Sequence, residues 1–154
     1  MFAARSVELT GGFTLPEPPH KVFELFSPLG EKSWVPGWDP ELLHPPGATW
    51  EPGLIFRTRE ERGEAIWIVT ALDRERHEVE YHRVEAGRYL AKVSVRCLGH
   101  AEARTDVRVT YTFVGLSETG NQEIAAMSAP AYEGKMLRWQ EWIIRHLSGA
   151  RVEG

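Results

Sequence analysis

Apolar and polar residues alternate near the start of the chain. Val7, Leu9, Phe13 and Leu15 share one side of an extended backbone, and two glycines at positions 11 and 12 lie between them. This period of two predicts a strand, because successive side chains of a strand point to opposite faces. The glycine pair predicts a bulge or a close backbone approach within that strand.

The spacing of apolar residues changes in the next segment. Val22, Phe23, Leu25 and Phe26 form a stripe that follows several prolines and predicts a helix of about two to three turns. Residues 28–52 are too rich in Pro and Gly for a long element, so they predict an ordered irregular loop with at most single helical turns. The tryptophans of this loop are expected to pack: Trp34, Trp38 and Trp50.

A series of strands joined by tight turns is predicted for the middle of the chain. Loops at residues 61–63, 74–77, 85–87 and 99–103 set the register of each hairpin. The facing pairs expected across these loops are Leu54 with Thr70 and Phe56 with Ile68; Leu72 with Val79 and Thr70 with Tyr81; Arg83 with Tyr89 and Tyr81 with Ala91; and Val95 with Val107, Val93 with Val109, Ala91 with Tyr111 and Tyr89 with Phe113. One face is then almost entirely apolar and the other polar, as in a sheet with one solvated face.

Trp67 and Val69 are exceptions to this pattern, because the predicted register places both on the solvated face. This exception has two interpretations. Either the two residues form a contact with another subunit, or the register of that strand is wrong. Formation of a homodimer is therefore left open.

The last part of the chain has the spacing of an amphipathic helix. Apolar residues recur every three or four positions up to Leu147, and Pro130 interrupts them. The pattern predicts either one long helix kinked at the proline or a short leading helix followed by a main helix over residues 131–148. Thr119 and Gln122 have the spacing of a capping box at the start of this region.

Together these elements predict an α+β fold. We expect a curved antiparallel sheet of about six strands wrapped around a long C-terminal helix, with short helices after the first strand. No repeat and no low-complexity linker divides the sequence. Residues 1–154 are therefore expected to form a single domain.

Composition narrows the class of protein. The chain has 154 residues, 42% apolar and 26% charged, with a formal net charge of -4, so the charge gives no support for nucleic-acid binding. Its apolar runs are too short for a membrane span, and the first residues lack a secretory signal pattern, so a cytoplasmic location is expected.

The single cysteine, Cys97, excludes a disulfide framework and is expected inside the core. Nine of the ten prolines lie within the first 52 residues, where Pro costs no hydrogen bond of the predicted meander.

Three segments resemble a known superfamily. Residues 23–45 (FELFSPLGEKSWVPGWDPELLHP), the strand AIWIVTALD and the closing helix MLRWQEWIIRHL look like the START-like helix-grip superfamily, also called SRPBCC, which includes polyketide cyclases and the birch pollen allergen. The resemblance covers nearly the whole chain. It implies an apolar cavity between the sheet and the long helix for lipids, sterols, polyketides or other hydrophobic molecules. The motifs include no invariant catalytic signature, so the resemblance implies no particular reaction.

The ligand site of such a cavity is expected on the inward faces of sheet and helix, where sparse polar groups orient the ligand. The residues expected to line it are Trp34, Trp38, Phe56, Ile68, Thr70, Tyr81, Arg83, Tyr89, Tyr111, Phe113, Met127, Met136 and Trp139. Some of these have a second interpretation. Arg83 either meets a carboxylate or enolate of the ligand or extends along the wall with its head in water. Trp34 and Trp38 form either a lid over the cavity mouth or a packed plug.

Candidate chemistry outside this set is sparse. Asp39 and His44 are the acid and imidazole nearest the loop tryptophans and form a conceivable general-base pair, although Asp before Pro is typical of a turn or cap. The histidines lack the spacing of metal ligands, and there is no serine-hydrolase, phosphate-loop or dinucleotide-binding motif. The sequence therefore predicts no metal and no cofactor.

The leading functional hypothesis is binding of a hydrophobic or aromatic small molecule, such as a lipid or polyketide, between the sheet and the C-terminal helix. The first alternative is an enzyme of the polyketide cyclase or aromatase type, in which a polar wall group moves a proton. The second alternative is a protein-interaction module like the co-chaperones of this superfamily. A void lined by Tyr81, Tyr111 and Met136 favours the first two, whereas a filled core with exposed apolar surface near Trp67 favours the third.

Overall fold

The computed structural model describes residues 1–99 and 103–152 of the chain. Within them one sheet contains seven strands: β1 (Ser6–Leu15), β2 (Glu41–His44), β3 (Ile55–Glu60), β4 (Gly63–Asp73), β5 (Glu78–Glu85), β6 (Tyr89–Gly99) and β7 (Thr105–Gly115). The described helices are α1 (Pro19–Phe23), α2 (Glu118–Ala125) and α3 (Ala129–Val152), with two 3-10 turns after α1 at Glu24–Phe26 and Gly30–Ser33. In these ranges, no helix has both the length and the apolar character needed to cross a membrane.

The strand order in the sheet is β1-β7-β6-β5-β4-β3-β2, and every pair of neighbours is antiparallel. β1 pairs with β7 in one continuous register from Ser6 to Leu15, without a bulge. A close backbone approach explains one glycine of this strand, because a Cβ at Gly12 would lie 2.3 Å from the carbonyl oxygen of Val107. Of the two interpretations of the glycine pair, the close approach is confirmed and the bulge is wrong.

One face of α3 covers the inside of the sheet. Tyr132, Met136, Trp139 and Ile143 repeat with helical spacing, and each is at most 9% exposed. The helix approaches β1 at Gly11, where a Cβ would lie 3.1 Å from side-chain atoms of α3. The predicted α+β fold, with a curved antiparallel sheet around a long C-terminal helix, is confirmed.

The C-terminal helical region consists of a short leading helix and a main helix, which was one of the two alternatives predicted from the sequence. The short leading helix α2 precedes α3, and Pro130 lies in the first turn of α3, where its missing N–H removes no helical hydrogen bond. The predicted capping pair, Thr119 and Gln122, is wrong. The hydroxyl of Ser117 instead caps α2 by accepting a hydrogen bond from the N–H of Gly120 at 2.9 Å.

A β-bulge at Thr70 changes the register of β4. Leu72 faces Val79 as predicted, but Tyr81 faces Val69 instead of Thr70. The extra residue bends the strand and exchanges the two faces for all residues on the N-terminal side of the bulge.

The turn between β3 and β4 has two residues rather than three, so Phe56 faces Trp67 and not Ile68. The predicted register is therefore wrong in this strand. Trp67 and Val69 are buried on the inner face, whereas Ile68 and Thr70 lie on the outer face. Register alone explains the apolar pair, which gives no evidence of a subunit contact.

In the two later hairpins, β5–β6 and β6–β7, the predicted faces are correct, but the pairing register differs from the prediction by two residues. Tyr81 faces Val93, and Ala91 faces Phe113. A displacement by two preserves the alternation of faces. The residues that consequently remain on the inner face are Tyr81, Arg83, Tyr89, Tyr111 and Phe113.

The seventh strand of the described sheet was not predicted. β2 lies in the proline-rich segment that the sequence indicated as a loop, and its Leu42 pairs with Phe56 of β3. It has only four residues and pairs with β3 alone. Such a short strand flanked by prolines is a common edge of a sheet.

Candidate functional site

An aromatic wall covers the inner face of β3, β4 and β5. Phe56 stacks on Trp67 with ring centroids 5.5 Å apart and planes inclined by 10°. Tyr81 is edge-on to both rings, at 6.1 and 6.0 Å. Trp38 approaches the same pair edge-on from the proline-rich segment, at 6.3 and 5.6 Å. Stacked and edge-on arrangements are those that aromatic rings favour, so these four rings form one packed surface.

A second aromatic group lies between β6, β7 and α3. Tyr111 stacks on Phe113 at 5.4 Å, and Tyr89 is edge-on to Phe113 at 5.5 Å. Trp139 of α3 is edge-on to Tyr111 at 6.5 Å. Trp34 of the proline-rich segment contacts Trp139 at 5.6 Å. The segment thus closes the space between the sheet and the helix with its own aromatic rings.

Hydrogen bonds fix the two loop indoles in place. Nε1 of Trp34 donates to the carbonyl of Leu25 at 2.8 Å, and Nε1 of Trp38 donates to the carbonyl of Pro28 at 2.7 Å. Trp34 is buried and Trp38 is half-buried. Both indoles therefore pack, as expected of tryptophans in an ordered loop.

Arg83 brings a positive charge to the inner face of the sheet. Its guanidinium carbon lies 5.3 Å from the ring centroid of Trp67 and 5.7 Å from that of Tyr89. Nη2 of Arg83 is paired with the carboxylate of Glu85 and lies 3.4 Å from the Tyr89 hydroxyl. Within the described residues, Nε of Arg83 is the one buried side-chain polar atom without a hydrogen-bond partner.

Glu85 belongs to a network of ion pairs that reaches the surface. Its buried carboxylate accepts hydrogen bonds from Arg83 and Arg88. Arg88 also donates through Nε to Glu123 of α2 at 3.0 Å, and Arg62 at the β3–β4 turn lies 3.6 Å from the same carboxylate. The network fixes the orientation of Arg83 at its inner end.

Lys135 brings a second positive charge, from the helix side. Its Nζ lies 4.0 Å from the ring centroid of Tyr111 and 5.4 Å from that of Trp139. No carboxylate within residues 1–99 and 103–152 forms an ion pair with it. Burial lowers the pKa of Lys135 to about 8; repulsion from Arg83 adds to the decrease and attraction to Glu31 opposes it.

Glu31 supplies a carboxyl group to the same region from the second 3-10 turn. It keeps part of its surface exposed, but protein atoms surround it closely enough that burial raises its pKa well above the usual range. The positive charge of Lys135 opposes this rise in part. Burial also raises the pKa of Tyr81 and of Tyr111, and the negative charge of Glu31 adds to both. Glu31, Lys135 and the two tyrosines therefore interact electrostatically across the interior.

A groove of about 1060 Å³ opens beside the aromatic wall. One side consists of residues 35–41, and the other of residues 57–60 with 63 and 64. Trp38 and Thr58 line the groove and also contact the wall, because Thr58 accepts a hydrogen bond from Nε1 of Trp67 at 3.0 Å. The groove thus adjoins the interior at the edge formed by β2 and β3.

The structure brings most of the predicted lining residues to the interior. Eight are buried: Trp34, Phe56, Tyr81, Tyr89, Tyr111, Phe113, Met136 and Trp139. Three are half-buried: Trp38, Arg83 and Met127. Ile68 and Thr70 lie on the outer face of β4 because of the register change, so they do not line the interior.

Cys97 is buried as predicted, and burial raises the pKa of its thiol to about 12. Asp39 lines the groove, whereas His44 is an exposed residue of β2.

Three residues of the site were missed in the sequence: Glu31, Trp67 and Lys135. Helical spacing offered a signal for Lys135, because it follows Tyr132 by three positions and precedes Trp139 by four, and both are buried. Trp67 was assigned to the wrong face of its strand. For Glu31 the local sequence holds no signal, because its position depends on how the proline-rich segment folds over the sheet.

No protein-family model matches the sequence, and no curated protein matches it in sequence. Solved structures match it in fold. Truncated norcoclaurine synthase from Thalictrum flavum is 10% identical, with 96% of this chain and 96% of that chain covered and a TM-score of 0.70. Major latex-like protein 151 from Panax ginseng is 16% identical, with 92% and 97% covered and a TM-score of 0.69. A hypothetical protein from Helicobacter pylori is 8% identical, with 91% and 87% covered and a TM-score of 0.70.

At these identities the likeness concerns the fold. It spans nearly the full length of each chain and includes plant proteins of several names as well as bacterial ones. The likeness thereby confirms the helix-grip fold that the resemblance seen in the sequence implied.

Proposed function

We propose that the protein binds a hydrophobic or aromatic small molecule in the interior between its sheet and α3. The observation that carries this proposal is the buried Nε of Arg83, a donor on an aromatic wall with no partner among the described residues. An unsatisfied buried donor costs about 1 to 3 kcal/mol, so an acceptor supplied by a ligand offsets that cost. Small-molecule sites are typically apolar surfaces with a few such polar groups.

The groove beside β3 is the entrance in this proposal. Its volume of about 1060 Å³ is large enough to admit a ligand of drug size. Trp38 stands between the groove and the stacked pair of Phe56 and Trp67, so a ligand passing inward meets aromatic surface at once. The interior ligand contacts belong to the inward-facing members of the predicted set, together with Trp67.

A solved structure of the same fold is consistent with an aromatic ligand. Norcoclaurine synthase from Thalictrum flavum, 9% identical to this chain, has been solved in complex with dopamine and hydroxybenzaldehyde. Both molecules are small and aromatic. They are ligands of that protein, and they support only the size and chemical class proposed here.

Native mass spectrometry of freshly purified protein, followed by titration with the neutral fluorophore N-phenyl-1-naphthylamine, tests the proposal. We expect a saturable 1:1 complex. Met136→Trp, which adds bulk at a buried position of α3, should abolish binding, whereas Leu137→Trp at the neighbouring position, 60% exposed, should leave it unchanged. Absence of a co-purified ligand and of saturable binding by the wild type would contradict the proposal.

An enzyme of the polyketide cyclase or aromatase type is a second candidate, favoured by Glu31 and Lys135. Burial raises the pKa of Glu31 and lowers that of Lys135 to about 8, so both are displaced toward neutrality, where general acids and bases are most effective. The test is conversion of a poly-β-ketone chain, followed by mass spectrometry, with wild type and Glu31→Gln. A rate that Glu31→Gln leaves unchanged would remove Glu31 from catalysis.

The interaction-module alternative loses the surface on which it depended. It required exposed apolar area near Trp67, and Trp67 is only 7% exposed. The other half of that comparison is not met by the groove either, because none of Tyr81, Tyr111 and Met136 lines it.

A further inference from the structure

Two cationic side chains reach the interior from opposite layers of the fold. Arg83 extends from β5 of the sheet, and Lys135 extends from α3. Each lies against aromatic rings, Arg83 at Trp67 and Lys135 at Tyr111. The positive charge of Arg83 also contributes to the lowered pKa of Lys135.

The ion-pair network that holds Arg83 contains more arginines than carboxylates. The ion-pair network contains three arginines, Arg62, Arg83 and Arg88, and two carboxylates, Glu85 and Glu123. Each carboxylate is shared between two arginines, which leaves the network with one positive charge in excess. The buried end of that network is Arg83, whose Nε has no partner within the described residues.

Lys135 adds a further positive charge without an ion pair. Glu31 is the carboxyl group that acts on it, but burial favours the neutral form of Glu31. The interior therefore receives two cationic side chains, one of them with an unused N–H donor.

We infer that the ligand of this site carries an anionic group, which lies between Arg83 and Lys135. This inference rests on the function proposed above and specifies the class of ligand: a hydrophobic acid, with its apolar part against the aromatic wall. A carboxylate, phenolate or sulfonate accepts from Nε of Arg83 and from Nζ of Lys135, and it offsets the repulsion between the two cations.

A pair of dyes with one ring system tests the inference. 1-Anilinonaphthalene-8-sulfonate is an anion, and N-phenyl-1-naphthylamine is its neutral counterpart without the sulfonate. Wild type should bind the anion at least about tenfold more tightly, because a charge-assisted hydrogen bond contributes more than a neutral one. Dodecanoate and dodecanol as competitors should show the same preference, which separates the anionic group from the aromatic tail.

Lys135→Met is the decisive variant, because Lys135 has no ion pair among the described residues that its removal would break. It should reduce the affinity for the sulfonate about tenfold and leave that for the neutral dye within about twofold. Lys135→Arg should retain the preference for the anion. The matched control is Lys21→Met, which removes the same charge from a side chain that is 64% exposed, and it should change neither affinity.

The outcomes separate the two claims. If wild type binds neither dye, the proposed function fails, and the inference fails with it. If wild type binds both dyes equally, or if Lys135→Met weakens both to the same extent, the function stands and the anionic ligand is wrong. Circular dichroism verifies that each variant is folded, and Lys135→Arg keeps the comparison informative if the Met variant is not.

Discussion

The indole Nε1 of Trp50 donates a hydrogen bond to the hydroxyl of Tyr81 at 2.9 Å, and both side chains are buried. The same hydroxyl donates to the carbonyl of Phe26 at 2.7 Å. One side chain of β5 thus joins the first 3-10 turn to the end of the proline-rich segment. Because the segment between these two points holds Glu31 and Trp38, the position of the site depends on this junction.

Tyr81→Phe should lower the free energy of unfolding by about 1 to 3 kcal/mol, since it leaves a buried indole N–H and a buried carbonyl without partners. Urea denaturation at pH 7 measures the change. Tyr111→Phe is the matched control, because the Tyr111 hydroxyl makes no hydrogen bond to a described residue, and its loss should cost less than about 0.5 kcal/mol. Equal losses in the two variants would show that the junction contributes nothing specific.

Alternation along the strands was sufficient to predict which faces are buried in β5, β6 and β7. Most positions of one phase there are apolar and most of the other are polar, so only one phase buries the apolar set. The exact offset of each hairpin was not determined by this pattern, because a displacement by two residues exchanges one apolar neighbour for another. The structure differs from the prediction by that displacement.

The sequence of β4 lacks the alternation of apolar and polar residues that would identify its buried face. Residues 65–69 are all apolar, AIWIV, so either phase of the strand buries apolar side chains. No Gly or Pro marks the bulge at Thr70, and bulges are placed by tertiary packing as much as by local sequence. The orientation of Trp67 therefore follows from a feature that the sequence pattern does not encode.

Val69→Ala tests the register of β4. Val69 is fully buried, so the change should lower the free energy of unfolding by about 2 kcal/mol through lost apolar burial and the remaining cavity. Ile68→Ala removes a larger side chain but from the outer face, and it should cost about 1 kcal/mol or less. Guanidinium denaturation compares the two, and the reverse order would support the register in which Ile68 faces the interior.

The charged part of the site was harder to predict than its aromatic part. Aromatic residues on a predicted inner face belong to a core whatever the function is. A lysine at a helical position is ordinarily assigned to the surface, because its long side chain can reach water from a partly buried Cα. Lys135 departs from this expectation because its ammonium group lies over the rings of Tyr111 and Trp139.

Glu31→Gln should stabilise the protein at neutral pH. Burial raises the pKa of Glu31 above its ordinary value of 4.5, so the unfolded state loses this proton at a lower pH than the folded state. The stabilising contribution of the neutral form is complete below pH 4.5 and is lost as the pH rises through the folded pKa. The variant should therefore match wild type near pH 4 and be the more stable protein at pH 8.

Thermal and urea unfolding between pH 4 and 8 measure this difference. Glu64→Gln removes a carboxylate whose side chain is 53% exposed, and it should change stability by less than about 0.5 kcal/mol at any pH. A constant difference between Glu31→Gln and wild type across the range would mean that the carboxyl group does not titrate differently in the folded state.

Lys135 should make the protein more stable as the pH rises above neutrality. Burial lowers its folded pKa to about 8 from 10.5, so between these values the unfolded state binds more protons than the folded state. The groups that face it are Arg83 from β5, Arg138 on its own helix, Glu31 from the 3-10 turn and Tyr111 from β7.

Wild type should therefore gain about 1 to 3 kcal/mol relative to Lys135→Met between pH 7.5 and 9.5, a window that ends before most unfolded tyrosines ionise. Urea denaturation of both proteins at several pH values gives the difference, and Lys21→Met, exposed on α1, should follow wild type throughout. If the two curves run parallel, the ammonium group of Lys135 is as well solvated in the folded protein as in the unfolded chain. Its charge would then need no counterion from a ligand.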